Sequence, residues 1–111
     1  MAKYIIPSVY KGDTFDDLQF TLSIDGTPED LTNYAIACKF RIRSKVGDEV
    51  KSISIGSGIT LVDAVNGVFK IDAFDVDWVV ATYYYDIQFT LAGVIDTYIE
   101  GKMDVIQDVT Y

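Results

Sequence analysis

Tyr83-Tyr84-Tyr85-Asp86-Ile87-Gln88-Phe89-Thr90-Leu91 decides the fold, together with Ile95-Asp96-Thr97-Tyr98-Ile99-Glu100-Gly101-Lys102-Met103-Asp104-Val105, which follows after Ala92-Gly93-Val94. In the first run Tyr83, Tyr85, Ile87, Phe89 and Leu91 alternate with Tyr84, Asp86, Gln88 and Thr90. A period of two puts one set of side chains on each face of a β-strand. In the second run Ile95, Thr97, Ile99, Gly101, Met103 and Val105 share one register, and Asp96, Tyr98, Glu100, Lys102 and Asp104 share the other. Two long alternating runs around a short Gly-containing turn predict a β-hairpin. Gly101 interrupts the inward register, which points to a bulge or to close approach by another backbone or an aromatic ring.

The same alternation recurs upstream. Leu18, Phe20, Leu22 and Ile24 form a half-buried strand that Asp25-Gly26-Thr27-Pro28 ends with strong turn chemistry. Leu31 is expected to plug the core from a loop. Residues 34–43 form a strand with Tyr34, Ile36, Cys38, Phe40 and Ile42 inward and Lys39, Arg41 and Arg43 outward. Residues 50–55 form a weaker strand with Ile53 and Ile55 inward. Residues 59–62 and 68–73 pair across Asn66-Gly67, a hairpin signal, with Phe69 and Ile71 inward. Residues 74–82 are the one irregular or helical piece, with Asp75 as a possible cap for a turn through Trp78 and Val79. Seven or eight strands, with turn signals every 8–12 residues, predict an all-β domain, a two-layer antiparallel β-sandwich. Its core is Leu18, Phe20, Leu22, Ile36, Cys38, Phe40, Phe69, Ile71, Tyr85, Ile87, Phe89, Ile99 and Met103. Residues 13–111 are that single domain. Residues 1–12 are a lead-in segment in which Tyr4-Ile5-Ile6 is a short edge strand stopped by Pro7. Residues 108–111 are a tail.

Composition narrows the function. The chain has 111 residues and a formal net charge of −8. That charge argues against nucleic acid and against an anionic membrane surface as partners. There is one cysteine, so no intrachain disulfide, and no histidine. Absent histidine removes Ser-His-Asp and Cys-His catalysis and the commonest metal ligand. Cys38 reads as a buried structural thiol. The first residues lack the apolar region of a signal peptide, and no run reaches the roughly 18 apolar residues of a membrane span. Carboxylates cluster at Asp13, Asp16 and Asp17, at Asp25, Glu29 and Asp30, and at Asp72, Asp75 and Asp77. None has the spacing of a calcium loop, so solvated turns are the better reading. No catalytic residue, cofactor or metal is expected. The candidates for interaction are the apolar Tyr4-Ile5-Ile6, the basic stripe Lys39, Arg41 and Arg43, and the aromatics Tyr84, Tyr98 and Trp78. The stripe is either protection against edge pairing or a docking face for an acidic neighbour. Residues 3–10 either pair within the domain or add to the sheet edge of a subunit or partner.

The order of motifs resembles a known family. A strand ends in Asp25-Gly26, Asp30-Leu31-Thr32 follows, and the next strand has Lys39, Arg41 and Arg43 outward. Then come Asn66-Gly67-Val68-Phe69, the block Tyr83-Tyr84-Tyr85-Asp86-Ile87-Gln88, and a return through Thr97 and Gly101 to Asp108-Val109-Thr110. This pattern, over nearly the whole chain, is similar to small immunoglobulin-like proteins of tailed bacteriophages, in particular the N-terminal module of the baseplate upper protein family. One departure is Ala81, where such proteins tend to have Gly. The resemblance implies an immunoglobulin-like sandwich built into a virion at the tail, baseplate or head surface. It implies assembly with other virion proteins or with itself, and no catalysis. Such a protein folds in the host cytoplasm and is released by lysis, without a signal peptide. The alternative is a β-sandwich that binds a host surface glycan through Tyr84, Tyr98 or Trp78.

Overall fold

A computed structural model describes residues 2–107; the tail at 108–111 lies outside the described residues. The strands are β1 (Ala2–Tyr10), β2 (Thr14–Phe15), β3 (Leu18–Thr21), β4 (Ser23–Ile24), β5 (Thr27–Pro28) and β6 (Ala35–Ile42). They continue with β7 (Glu49–Ile55), β8 (Gly58–Asp63), β9 (Val68–Ile71), β10 (Phe74–Asp75), β11 (Ala81–Leu91) and β12 (Val94–Ile106). A single 3₁₀ turn, Ala64–Asn66, joins β8 to β9, and Gly67 closes it in the left-handed conformation. The all-β class predicted from alternation holds.

The central hairpin forms as predicted. Strands β11 and β12 pair antiparallel from Leu91↔Val94 to Ala81↔Val105. Only Ala92 and Gly93 turn the chain, at φ 51° and 83°, the left-handed pair of a type I′ turn. Strand β6 lies on the other side of β11, with Phe40 opposite Tyr85 and Ile36 opposite Phe89. Tyr83, Ile87, Phe89, Cys38 and Phe40 are fully buried, as are Phe69 and Ile71 from β9. Leu31 does plug the core, with no exposed surface. Leu18 and Phe20 are half-buried against it.

The antiparallel two-layer arrangement is where structure and expectation part. One eight-stranded sheet runs β1-β12-β11-β6-β7-β8-β9-β3. It is mixed: β1 runs parallel to β12, and β7 parallel to β8. The sheet curls, because its first and last strands touch: the Tyr4 and Phe20 rings meet edge-on at 5.7 Å. Strong right-handed twist brings the two ends of a long sheet together in this way. The strings of rings that fill the interior follow the curl. Phe20 stacks on Phe69, which meets Phe89, which in turn is bracketed by Tyr34 and Tyr98.

Five local expectations are corrected. Pro7 does not stop β1, which runs on to Tyr10 after slipping its register on β12 between Ile6 and Val9. An edge strand tolerates a missing N–H at such a slip. Ile55 is exposed, because the chain turns back at Gly56-Ser57 immediately after it. The strand from Leu18 breaks at Leu22, whose N–H turns to the Gly67 carbonyl, and resumes as β4. Residues 76–80 are irregular, one of the two readings offered, but 74–82 hold no helix: Phe74 and Asp75 pair with Phe15 and Thr14. Burial wins over capping there. Phe74 stacks on Phe15 at 4.8 Å, and the Asp75 carboxylate accepts from the Thr14 hydroxyl instead of capping a turn. Trp78 is half-buried against Phe40, Phe74 and Tyr83, so it is not the exposed aromatic the sequence offered.

Candidate functional site

The outer face of the central strands gathers part of the predicted set. Register places Tyr84 beside Arg41 on one side and Lys102 on the other, and Asp86 between Lys39 and Glu100. Tyr84, Arg41, Asp86, Lys39 and Glu100 line a shallow cleft with Lys45, Gln88 and Ala37. Its three basic groups are each engaged by a neighbour. Lys39 meets Glu49 at 3.5 Å, Lys45 meets Glu100 at 3.1 Å, and Arg41 donates to the Gly47 carbonyl at 3.0 Å. Strand β6 is internal to the sheet, so the basic stripe guards no edge. Cross-strand pairing of opposite charges accounts for it. Arg43 leaves the stripe: it lies beyond the end of β6 at φ 71°, with its N–H on the Thr82 carbonyl. Lys45, which sits in the following turn and completes the cleft, was not legible, because its reach to Glu100 depends on strands far apart in sequence.

Tyr98 goes elsewhere. Ile87 faces Ile99 and Gln88 faces Thr97, so Tyr98 is the extra residue of a β-bulge. The bulge reverses the facing of everything beyond it. Tyr98 turns against the Phe89 ring at 5.5 Å, its hydroxyl donating to Asp96, while Ile95 becomes 63% exposed. The expected inward register of Ile95 and Thr97 therefore fails at a single residue.

Tyr4, Ile5 and Ile6 belong to β1, paired inside the domain. Ile6 is buried and Ile5 is 65% exposed. Tyr4 and Tyr10 flank a second, larger cleft of about 330 Å³ that also takes in Pro7, Ser8, Asp13, Thr14, Asp16, Asp17 and Leu18. It opens because β1 and the chain that returns from it pair with different neighbours: β1 with β12, β2 with β10, β3 with β9. Two arms joined by one turn are thus drawn apart. The Asp13, Asp16 and Asp17 group, read from sequence as a solvated turn, forms one wall.

The titrating groups are tuned by burial and by single partners. Burial pushes the Cys38 thiol far above its ordinary value, with Asp86 adding to it, so it stays protonated and unreactive. The Asp17 carboxylate is held below its ordinary value chiefly by its hydrogen bond from Lys70, and then by the Ala73 N–H. Among the described residues no three carboxylate or thiol groups gather as a metal site. Also among them, no helix is long and apolar enough to cross a membrane. No family model matches the sequence, and neither does any curated protein.

Proposed function

We propose that the chain is a non-enzymatic structural module of a tailed-bacteriophage virion, working by protein–protein assembly at the tail, baseplate or head surface. The immunoglobulin-like relationship is part of this proposal and is carried by the order of sequence motifs from Asp25-Gly26 to Asp108-Val109-Thr110. The geometric observation that supports assembly is the open seam of the curled sheet. Among the described residues, β1 and β3 are its two ends and no ladder joins them. Such edges are templates for a further strand, and natural proteins cover or use them. Exposed Tyr4, Ile5 and Tyr10 add apolar surface on β1. The virion is then the place where the protein works, after folding in the host cytoplasm.

Mass spectrometry of purified particles from the phage that encodes the chain is the direct test. The chain should be present in a fixed ratio to a tail or capsid protein, and native mass spectrometry after co-expression with neighbouring gene products should capture the complex. Particles without it would sink the reading. Glycan binding is the second reading. It draws on Tyr4 and Tyr10, which flank a concave, carboxylate-lined cleft. Binding on a glycan array that Tyr10→Ala abolishes would favour it.

A further inference from the structure

We propose that the cleft between β1 and the 13–18 arm receives an extended segment of a partner protein in which apolar and basic residues alternate. This rests on the assembly reading for its setting and names the surface and the chemistry of the partner. The cleft is bounded at both ends. At one end the Tyr4 ring meets Phe20. At the other the chain turns through Lys11 and Gly12, where the Asp13 N–H donates to the Tyr10 carbonyl at 3.0 Å. From Tyr4 to Tyr10 is about 20 Å of extended chain, room for a segment of about six or seven residues.

Both walls have backbone outside any ladder. Pro7 and Ser8 fall in the register slip and have no partner on β12. Asp16 and Asp17 lie between β2 and β3. The floor is apolar, with Ile6 and Phe15 buried beneath it. The rim is acidic. Asp17 is engaged by Lys70 and the Ala73 N–H. Among the described residues, no hydrogen bond or ion pair engages the Asp13 or Asp16 side chain. No lysine or arginine lines the cleft, and the chain as a whole carries −8. Because successive side chains of an extended segment point opposite ways, its apolar residues would face the floor while its basic residues meet Asp13 and Asp16. Main-chain pairing with β1 would supply affinity. A second copy of this acidic chain would be repelled from the rim. A neutral sugar would gain nothing from the open strand edge.

The test uses the full ¹⁵N-labelled chain and three probes: a blocked heptapeptide of alternating Lys and Val, the same peptide with Glu for Lys, and a neutral hexasaccharide. The Lys-Val peptide should shift the amides of Ser8, Val9, Tyr10 and Asp16. Its binding should weaken with salt and fall about tenfold at low salt in the Asp13→Asn, Asp16→Asn double variant. That variant should melt like the parent, since neither side chain has a structural partner. Equal binding of the Glu-Val peptide, shifts only elsewhere, or shifts with the hexasaccharide alone would overturn the proposal. If the chain is found in particles while the Lys-Val peptide leaves these amides unmoved, the cleft inference falls and the assembly reading stands. If the peptide binds as described and particles lack the chain, the assembly reading falls by itself.

Discussion

Gly101 shows how a single missing side chain admits a strand. A Cβ there would run into the Tyr4 carbonyl and come within 3.0 Å of the Tyr85 ring. The space instead holds β1, whose Tyr4 carbonyl accepts from the Tyr85 hydroxyl at 2.7 Å. The sequence signal, Gly in an inward register, therefore reported a real close approach by both backbone and ring. Gly101→Val should lose at least about 2 kcal/mol, because the obstacle is backbone and cannot rotate away. A neutral effect in chemical denaturation would mean that β1 does not lie where it is placed. Tyr85→Phe should cost about 1 kcal/mol through the lost hydrogen bond. The hairpin turn offers the opposite case. Asp25-Gly26 and Ala92-Gly93 adopt the same left-handed pair of conformations, at φ 53° and 80° and at φ 51° and 83°. Asp tolerates that region; Ala pays for it with about 1 kcal/mol. Ala92→Asn should raise the melting temperature by several degrees, and a drop would refute the turn geometry.

At the scale of elements, the bulge and a single carboxylate decide how strands meet. Phe89 lies at the centre of a string of rings and is fully buried. Phe89→Ala should cost about 3–5 kcal/mol; a loss under about 1 kcal/mol would show that the face was assigned wrongly. Asp17 ties the 13–18 arm to β9 through Lys70 and to the link between β9 and β10 through Ala73. Its carboxylate titrates below the ordinary value of 3.8. A depressed folded-state value stabilises above the unfolded-state value, and the gain disappears as pH falls through the folded one. Melting temperatures of the parent and Asp17→Asn should therefore differ at neutral pH and converge in acid; a constant gap would show that the charge of Asp17 is irrelevant. Strands β6, β11 and β12 were legible because alternation is local, and so was the plug Leu31. The bulge at Tyr98 was not, since the alternation continues formally through it and only the pairing with Gln88 breaks it. Nor was the Phe15–Phe74 ribbon, two residues long and fixed by contact between distant segments. The larger cleft was illegible for the same reason: Tyr4 and the Asp13–Asp17 group each stood out, but only the curl of the sheet faces them across a gap.

For the whole molecule, the question is whether β1 is a detachable arm or part of the wall. The sequence allowed both. Internal pairing is what the structure holds: β1 follows β12 from Ala2↔Ile99 to Tyr10↔Ile106, and Ile6 is 3% exposed. Removing residues 1–11 would strip this cover from Ile99, Met103 and Val105 and would free the Gly101 groove. Loss of Ile6 burial alone forfeits about 2 kcal/mol, and the strand's ladder bonds go with it. What remains would end on β12, a 13-residue strand and thus a long unprotected edge of the kind that pairs with other copies. Net charge opposes that association but is screened beyond about 10 Å at ordinary salt, so it would not protect strands already in contact. A variant starting at Gly12 should melt far below the full chain and elute as oligomers or aggregate on size exclusion. The Lys-Val peptide should not restore it, because that peptide's site needs β1 as one wall. A monomeric variant with the parent's melting temperature would show that β1 is an arm after all, and the seam between β1 and β3 would lose its meaning as a docking surface.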